Sequence, residues 1–460
     1  MDSDRLAYAS ILQLQQSIRS GAISLVEIAR QQARRIEELN PTLNAFLSIS
    51  ADLEAQAERL EPAVAGEPEA YPLAGVVLSV KDLMPVTGLP TTAGSRVLAA
   101  KTAVHDAPAV ARLRKAGCLI AGKTNLHEFA YGVTTENEHF GPTLNPWDPA
   151  RIAGGSSGGS ACALAAGLGH ASIGTDTRGS IRIPAACCGV AGLKPTKGLV
   201  PTTDVIPLSV TLDHIGPMAR SVDDVFALLA ILADRNFDAP PLAGLRGGLA
   251  DYYFEDLDAG VQECVEEAVR VLESLGLQWR ELKIPELDAA LEASGVIARA
   301  EAVAYHDQNL RERPELYGPG VRARLETGYQ LTAGDLEEAQ QTAARVRSHC
   351  EGAFQHVDVL LAPVIPTPPP LLGGPSATPS VATPAIVGSL VRLNAPQNVA
   401  GVPSLSLPGG FADGLPVGIQ LVAAWNREST LHTVGAAFQQ ATAWHQERPL
   451  LRAGRRAPRV

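Results

Sequence analysis

The sequence lacks several features that mark particular classes of protein. It has no stretch of about 18 uninterrupted apolar residues, and its first residues do not combine a basic segment with an apolar one. Neither a membrane span nor a secretory signal is therefore predicted, and a cytoplasmic location is the default. No run of basic residues occurs, and the formal net charge is -11. This balance argues against nucleic acid or an anionic membrane as the main partner.

Cysteine is scarce, and its spacing excludes the common zinc patterns. No CxxC pair and no zinc-like His/Cys spacing is present. Several cysteines sit in apolar surroundings, where a thiol is most often a small buried hydrophobic group. We therefore expect structural thiols, no metal and no cofactor. The six are Cys118, Cys162, Cys187, Cys188, Cys264 and Cys350.

Aromatic residues are also few, at 5% of the chain. The 460 residues are 46% hydrophobic and 19% charged, which suits an ordered globular protein with a sizeable core packed by Ala, Gly and Leu. Strand and helix patterns alternate in the first half of the chain. They predict an α/β fold, with a twisted, mostly parallel mixed central sheet covered by helices on both faces.

Local patterns predict several individual elements. Residues 61–72 are rich in proline and acid, which is typical of a loop. A nearly continuous apolar run at 73–80 predicts a strand buried on both faces. Further along the chain, 360–384 is a proline-rich stretch predicted to be an extended loop, 398–408 a returning strand and 430–440 a terminal helix.

Two turns rich in glycine and hydroxyl groups stand out, at 154–160 (Gly-Gly-Ser-Ser-Gly-Gly-Ser) and at 174–180 (Gly-Thr-Asp-Thr-Arg-Gly-Ser). They concentrate candidate nucleophiles and backbone donors, and we interpret them as the active centre. The first turn could also bind phosphate at the start of a helix. Ser160 stands where the lysine of a phosphate-binding loop would be, however, so this reading is weak.

A serine needs a base to become a good nucleophile, and the base need not be histidine. Lysine can serve when it is neutral, which requires its pKa to fall from ~10.4 toward ~7 or 8 through burial or hydrogen bonding. Lys81 follows the buried strand predicted at 73–80. Ligand sites in α/β sheets lie beyond the carboxyl ends of strands, so Lys81 is suitably placed.

These motifs resemble the amidase signature family, and the resemblance covers most of the chain outside its middle helices. The resemblance implies a hydrolase that cleaves a small or medium carboxylic amide and releases ammonia or an amine together with a carboxylate. The matching segments are Val80-Lys81-Asp82, 128–130, 136–137, 145–147, 154–160, 174–182, 189–196, 212–217 and 414–420.

One domain, 1–460, is predicted. A shift to long amphipathic patterns rich in Glu, Ala, Arg and Leu over 237–360 helps to divide it into four parts. These are N-terminal helices over 1–65, a catalytic core over 73–235, a helical substrate-bordering region over 237–360, and the C-terminal part of the sheet with a terminal helix over 361–460.

By this resemblance Ser180 attacks the amide carbonyl, Ser156 relays the proton and neutral Lys81 accepts it. The bond between Gly155 and Ser156 is expected to be cis. The oxyanion would be received by the backbone N–H groups of Thr177, Arg178, Gly179 and Ser180. Supporting hydrogen bonds, rather than chemistry, are expected of Ser157, Ser160, Asp176 and Arg182, and a structural role is favoured for the neighbouring Asp213 and His214.

Arg178 departs from the family pattern, which usually has glycine at this position. An arginine would be strained there if the backbone required a positive φ. One hypothesis is that its side chain holds an anionic group of the substrate, and another is that it pairs with a nearby acid. Tyr131 is a candidate wall of the substrate pocket and could equally belong to the core.

Two other functions stay open. The chain could be an amidotransferase subunit in a tRNA-linked assembly, although segment 200–210 differs from what such subunits usually carry. It could also be a non-catalytic binding homologue.

The sequence does not identify the amide, because the pocket walls come largely from the middle helices. The oligomeric state is open as well, and the resemblance suggests a homodimer.

Overall fold

The computed structural model describes residues 3–98, 101–373 and 384–451. Within these ranges the chain forms thirteen strands and fifteen α-helices. The strands are β1 Phe46–Ile49, β2 Val77–Lys81, β3 Leu119–Thr124, β4 Glu136–Asn137, β5 Gly141–Pro142, β6 Ala171–Asp176, β7 Ala191–Lys194, β8 His214–Ala219, β9 Arg246–Ala250, β10 Gln278–Leu282, β11 Val359–Pro363, β12 Ser404–Ala412 and β13 Leu415–Ala423. The helices are α1 Ser3–Ala7, α2 Ile11–Arg19, α3 Leu25–Leu43, α4 Leu53–Gly66, α5 Pro108–Lys115, α6 Gly158–Ala165, α7 Arg182–Cys188, α8 Val222–Ala233, α9 Ala259–Ser274, α10 Ala289–Glu312, α11 Pro319–Glu326, α12 Ala333–Ala353, α13 Pro384–Arg392, α14 Ala395–Ala400 and α15 Glu428–Thr442.

Eleven of these strands form one mixed sheet, in the order β1-β3-β2-β6-β8-β7-β12-β13-β11-β9-β10. Strands β4 and β5 pair separately. The predicted α/β class and mixed sheet are confirmed. Its predicted mostly parallel character is wrong: between described strands, four neighbouring pairs are parallel and six are antiparallel. Five of the six antiparallel pairs are consecutive in the sheet, from β6 through β8, β7, β12 and β13 to β11, and they form its centre.

The sequences of the central strands are largely apolar because these strands are covered on both faces of the sheet. Every residue of β2, β6 and β13 is buried. Helices α6, α7, α8 and α9 pack against the central strands. No helix within the described ranges is both long and apolar enough to cross a membrane.

The long amphipathic patterns of region 237–360 predict helices only, but the region is not purely helical. It contains β9 and β10 and the first residues of β11, and these three strands form one edge of the sheet. These two edge strands were not predicted because the sequence of β9 is Arg-Gly-Gly-Leu-Ala and β10 has no buried residue. A strand at the end of a sheet needs no continuous apolar run.

Three smaller predictions also differ from the structure. Helix α4 continues into the predicted loop at 61–72, with Pro62 inside it. The predicted strand at 398–408 begins as α14, which ends at Gly401 in the left-handed conformation (φ 76°), and β12 starts only at Ser404. The predicted loop at 360–384 begins as β11, and residues 374–383 lie outside the described residues. The terminal helix predicted at 430–440 is confirmed as α15.

Candidate active site

Lys81 ends β2 and is fully buried. Its Nζ atom donates hydrogen bonds to Ser156 Oγ and to Thr175 Oγ1, each at 2.7 Å. Thr175 lies on β6, which pairs with β2 in parallel, so the ends of the two strands meet at one edge. The structure therefore brings Lys81 and Ser156 together, as expected. It also shows a second partner of Lys81, Thr175, which the sequence indicated only as part of the turn at 174–180.

The environment of Lys81 favours its neutral form. Burial lowers the pKa of its ammonium group to about 7, while the charges of Asp176 and Asp213 act in the opposite direction. Burial dominates because a charged group loses its hydration inside the protein. Lys81 is therefore partly neutral near pH 7, and a neutral amine can accept a proton.

The turn that carries Ser156 is held closely against a neighbouring segment. The bond between Gly155 and Ser156 is cis, as the resemblance implied. Thr135 Oγ1 donates to the carbonyl oxygen of Gly154 at 2.8 Å. A Cβ atom on Gly155 would lie 2.8 Å from the backbone nitrogen of Thr134. Only glycine therefore permits this close approach of two backbones.

Ser157 and Ser160 form hydrogen bonds around the same turn. Ser157 Oγ donates to the carbonyl oxygen of Thr175 at 3.2 Å, and Ser160 Oγ lies 2.8 Å from Thr124 Oγ1. The backbone N–H of Ser157 donates to the carbonyl oxygen of Ser180, also at 3.2 Å. This bond connects the two glycine-rich turns, so each helps to fix the position of the other.

Ser180 lies between β6 and α7 and is 3% exposed. Its hydroxyl forms no hydrogen bond with another described residue, Ser156 included. The contact between Lys81 and Ser156 is thus present, whereas transfer from Ser156 to Ser180 remains a proposal. The Ser180 hydroxyl is free to turn toward an incoming group.

Asp176 organises the turn before Ser180. It forms a fully buried ion pair with Arg182, with Nε 3.0 Å from Oδ2. Asn398, on α14, donates to Asp176 Oδ1 at 2.9 Å. Burial by itself would raise the pKa of the Asp176 carboxyl. Arg182, Lys194 and the hydrogen bond from Asn398 together more than offset this, so the pKa lies well below its ordinary value. Asp176 is therefore a charged acceptor at neutral pH.

That carboxylate already binds one of the predicted oxyanion donors. The N–H of Gly179 donates to Asp176 Oδ1 at 2.7 Å, so this donor is already bound in the structure, and its place in the oxyanion hole stays a prediction. The N–H groups of Thr177, Arg178 and Ser180 donate to no described residue. These three amides remain available to a developing oxyanion.

The condition under which Arg178 would be strained is not met. Gly179 has a positive φ, at 113°, and Arg178 is not among the described residues with positive φ. A Cβ atom at Gly179 would lie 2.7 Å from Ile183 Cδ1. The turn therefore needs glycine one residue later than expected and accommodates a side chain at 178.

Thr177 is held by Asp213, which the sequence had placed in a structural role. Thr177 Oγ1 donates to Asp213 Oδ1 at 2.5 Å, and the N–H of Leu208 donates to Asp213 Oδ2 at 2.9 Å. Burial raises the pKa of Asp213 to about 6, while these hydrogen bonds lower it. His214 forms no hydrogen bond with the Asp213 carboxylate among the described residues. Its partners include the carbonyl oxygen of Leu212, 2.7 Å from Nδ1.

Arg178 is anchored to α10. Its Nε donates to Ser294 Oγ at 3.0 Å and its Nη2 to the carbonyl oxygen of Leu291 at 2.8 Å. The hypothesis that it pairs with a nearby acid is wrong, because among the described residues it has no carboxylate within ion-pair distance. Burial lowers the pKa of Arg178 to about 10, so it stays cationic at neutral pH.

Tyr131 is 7% exposed, and its hydroxyl has no hydrogen-bond partner. The guanidinium carbon of Arg324 lies 5.5 Å from its ring centroid, and Arg324 Nη1 donates to its carbonyl oxygen. Helix α11 thus supplies an arginine that the sequence gave no local reason to single out. In the described parts of the chain, no group of three His, Cys, Asp or Glu side chains is placed to hold a metal ion.

Comparisons with known proteins identify the class to which this fold and site belong. The sequence profile of the family described as Amidase matches residues 27–431, so the chain belongs to the amidase family. The predicted resemblance is thereby confirmed. The chain is 38% identical to the A-type subunit of glutamyl-tRNA(Gln) amidotransferase from Cyanothece sp., over 96% of this chain and 100% of that protein.

Two kinds of protein with solved structures are similar to this chain. A crystal structure described as an amidase has a TM-score of 0.87 and 35% identity, covering 94% of this chain and 99% of that one. The A-type subunit of glutamyl-tRNA(Gln) amidotransferase from Thermotoga maritima has a TM-score of 0.80 and 29% identity, covering 98% of this chain and 99% of that one.

Proposed function

We propose that the chain cleaves a carboxylic amide through an acyl-enzyme on Ser180. The observation that carries this proposal is the 2.7 Å contact between Lys81 Nζ and Ser156 Oγ, made by a lysine whose pKa is lowered to about 7. An adjacent base can activate a serine, and we therefore assign Lys81 as the base and Ser156 as the relay. A small or medium amide as substrate, a cytoplasmic location and a homodimer belong to the same proposal.

The proposal includes two linked proton transfers. Neutral Lys81 accepts the proton of Ser156, which in turn accepts that of Ser180 as the Ser180 oxygen attacks the carbonyl carbon. The three free amides of the turn stabilise the resulting oxyanion, and one preorganised donor contributes about 3 kcal/mol.

The same relay returns a proton to the amide nitrogen as the C–N bond breaks. Ammonia or an amine leaves, and Ser180 keeps the acyl group. Water then attacks the ester carbonyl carbon and transfers a proton to the relay. The bond from this carbon to Ser180 Oγ breaks, the relay returns the proton to Oγ, and the released acid ionises to the carboxylate.

An ammonia-release screen tests this proposal. Purified protein is offered aliphatic, aromatic, dicarboxylic and urea-type amides and peptide amides, with Ser180→Ala as the control. We expect at least one class to be turned over by the wild type and not by the variant. Equal ammonia release by both proteins would exclude Ser180 as the nucleophile.

The curated relatives favour a second candidate, an A-type subunit of an amidotransferase. They align with nearly the whole chain at 37% to 39% identity. In that function Ser180 would perform the same half-reaction, but the ammonia would pass to a partner protein instead of solvent. The chemistry at Ser180 therefore does not separate the two candidates, whereas dependence on a partner does.

Glutamine turnover with and without candidate partner proteins distinguishes the two. A free amidase is expected to work at the same rate alone, whereas a component of an assembly is expected to be slow alone and to accelerate when its partners are added. A third possibility, a non-catalytic homologue, predicts folded protein without turnover under either condition.

A further inference from the structure

Asp213 holds the side chain of Thr177 at the start of the turn before Ser180. Thr177 Oγ1 donates to Asp213 Oδ1 at 2.5 Å, and both side chains are buried. The N–H groups of Leu208 and Ser209 donate to Asp213 Oδ2, at 2.9 and 3.1 Å. One carboxylate therefore fixes Thr177 against a separate loop of the chain, 208–213.

This carboxylate is mostly ionised at neutral pH. Burial raises the pKa of Asp213 to about 6, and the hydrogen bonds from Thr177 and from the two backbone amides keep it from rising further, together with the charge of Lys197. Hydrogen bonds to an ionised acceptor are about twice as strong as those between neutral groups. The hydroxyl of Thr177 is therefore held firmly.

The loop at 208–213 is itself fastened to α10 by Glu301. Ser209 Oγ and the N–H of Thr211 both donate to Glu301 Oε2, the second at 3.0 Å. Thr211 Oγ1 donates to Glu301 Oε1. Leu212 also packs in an apolar cluster with residues of α10. Glu301 thus receives three hydrogen bonds from the loop that carries Asp213.

The amide of Thr177 is one of the three that are available to an oxyanion. Its N–H lies in the same peptide plane as the carbonyl group of Asp176, and Asn398 Nδ2 donates to that carbonyl oxygen at 3.1 Å. The peptide is thus held on one side by Asn398 and on the other by the bond from Thr177 to Asp213. Strand β6 ends at Asp176 and α7 begins only at Arg182, so no regular secondary structure fixes the peptide instead.

We propose that Asp213 is a positioning residue of the oxyanion hole, which orients the Thr177 amide through the Thr177 hydroxyl, and that Glu301 holds Asp213 in place from α10. The proposal rests on the amide hydrolysis proposed above. A preorganised donor contributes to the rate only when it points at the developing charge. Two carboxylates connected by one loop therefore link α10 to the reacting centre.

Fluorophosphonate labelling tests this proposal without knowledge of the amide. Ser180 Oγ attacks phosphorus, its proton passes to the relay and fluoride leaves, while negative charge develops on the phosphoryl oxygen at the oxyanion hole. Thr177→Val replaces the hydroxyl with a methyl group and should lower the limiting rate of labelling about ten- to hundredfold. Thr177→Ser keeps the hydroxyl and should label at nearly the wild-type rate.

A variant of the carboxylate provides the second arm. An amide side chain has one acceptor oxygen and an NH₂ group, so Asp213→Asn turns a donor toward one of the three donors that the carboxylate binds. It should lower the limiting rate as Thr177→Val does. The matched control is Asp224→Asn, because Asp224 on α8 is also buried and accepts the N–H of Ile11 at 2.9 Å. This control should label at the wild-type rate.

The contribution of α10 is tested in the same assay. Glu301→Gln should lower the limiting rate less than Asp213→Asn does, because it acts through the loop. Glu292→Gln is the control on the same helix, since Glu292 pairs instead with Arg299, with Oε1 3.0 Å from Nη2. Equal rates in these two α10 variants would overturn the role of Glu301.

The concentration dependence of labelling separates positioning from a general distortion of the site. In Thr177→Val we expect a lower limiting rate with an unchanged half-saturating probe concentration, and thermal unfolding confirms that each variant is folded. Limiting rates that are equal in the labelled wild type, Thr177→Val and Asp213→Asn would overturn the positioning role and leave amide hydrolysis intact. A decrease in Thr177→Ser or Asp224→Asn as large as that in Thr177→Val would also overturn it. Folded wild-type protein that is not labelled would reject the proposed nucleophile and the positioning role together.

Discussion

Lys81 Nζ lies 2.7 Å from Ser156 Oγ, and no part of the lysine side chain reaches solvent. The strand that carries Lys81 is buried throughout, and the turn that carries Ser156 is held against residues 133–135. The contact is thus fixed by the sheet and not by mobile side chains. Its chemical consequence depends on whether the lysine is neutral.

The first prediction concerns the pH dependence of amide turnover. Because the pKa of Lys81 is lowered to about 7, the lysine is protonated below that pH and cannot accept a proton, and it is neutral above it. We expect kcat/KM for a neutral amide to rise with pH through about 7 and then level off. A kcat/KM that stays constant between pH 5 and pH 9 would contradict this assignment.

The second prediction concerns removal of the base. Lys81→Met keeps an apolar side chain of similar length and should lower kcat by about 10²–10⁴-fold, the usual contribution of a positioned base. The exposed Lys115 provides a matched control. Lys115→Met should keep the wild-type kcat. If both variants retain wild-type kcat, Lys81 has no role as a base.

The third prediction concerns Thr175, whose Oγ1 accepts a hydrogen bond from Lys81 at 2.7 Å. An acceptor stabilises the charged ammonium, so removing it lowers the pKa of Lys81 further. Thr175→Val should therefore shift the rising limb of the pH profile to lower pH. Thr175→Ser restores the hydroxyl and should return the profile toward that of the wild type. A shift to higher pH in Thr175→Val would show that the hydroxyl acts differently.

The fourth prediction concerns stability. Asp176→Asn leaves the fully buried Arg182 without its counter-charge, and breaking a buried pair costs about 3–5 kcal/mol. We expect a loss of this size in the free energy of unfolding, measured by urea denaturation. The control is Asp358→Asn, which breaks the exposed pair with Arg246 and should cost much less. Similar losses in both variants would mean that burial does not strengthen the role of Asp176.

The position of the candidate site could be predicted from the sequence because its signals are local. The glycine- and serine-rich turns at 154–160 and 174–180 and the apolar run before Lys81 each lie within a few residues. Turn residues and strand ends follow from backbone preferences that act over such distances. The contact of Lys81 with Ser156 was expected on the same grounds, with the family resemblance.

The hydrogen bond from Gly179 to Asp176 could not be predicted in this way. It depends on Asp176 being oriented by Asn398, which is 222 residues further along the chain. The contact between Arg324 and Tyr131 has the same origin, since Arg324 lies on α11 and reaches Tyr131 only through the tertiary fold. Strands β9 and β10 were not predicted because strands at the edge of a sheet lack the continuous apolar pattern of central strands.

The most direct test of the central claim identifies the residue that an active-site probe modifies. A fluorophosphonate reacts with an activated serine, and mass spectrometry of the digested protein locates the adduct. We expect one adduct, on Ser180, with slower labelling in Lys81→Met and none in Ser180→Ala. Folded wild-type protein that remains unlabelled, or an adduct on Ser156 or Ser157 instead, would contradict the assignment of Ser180 as the nucleophile.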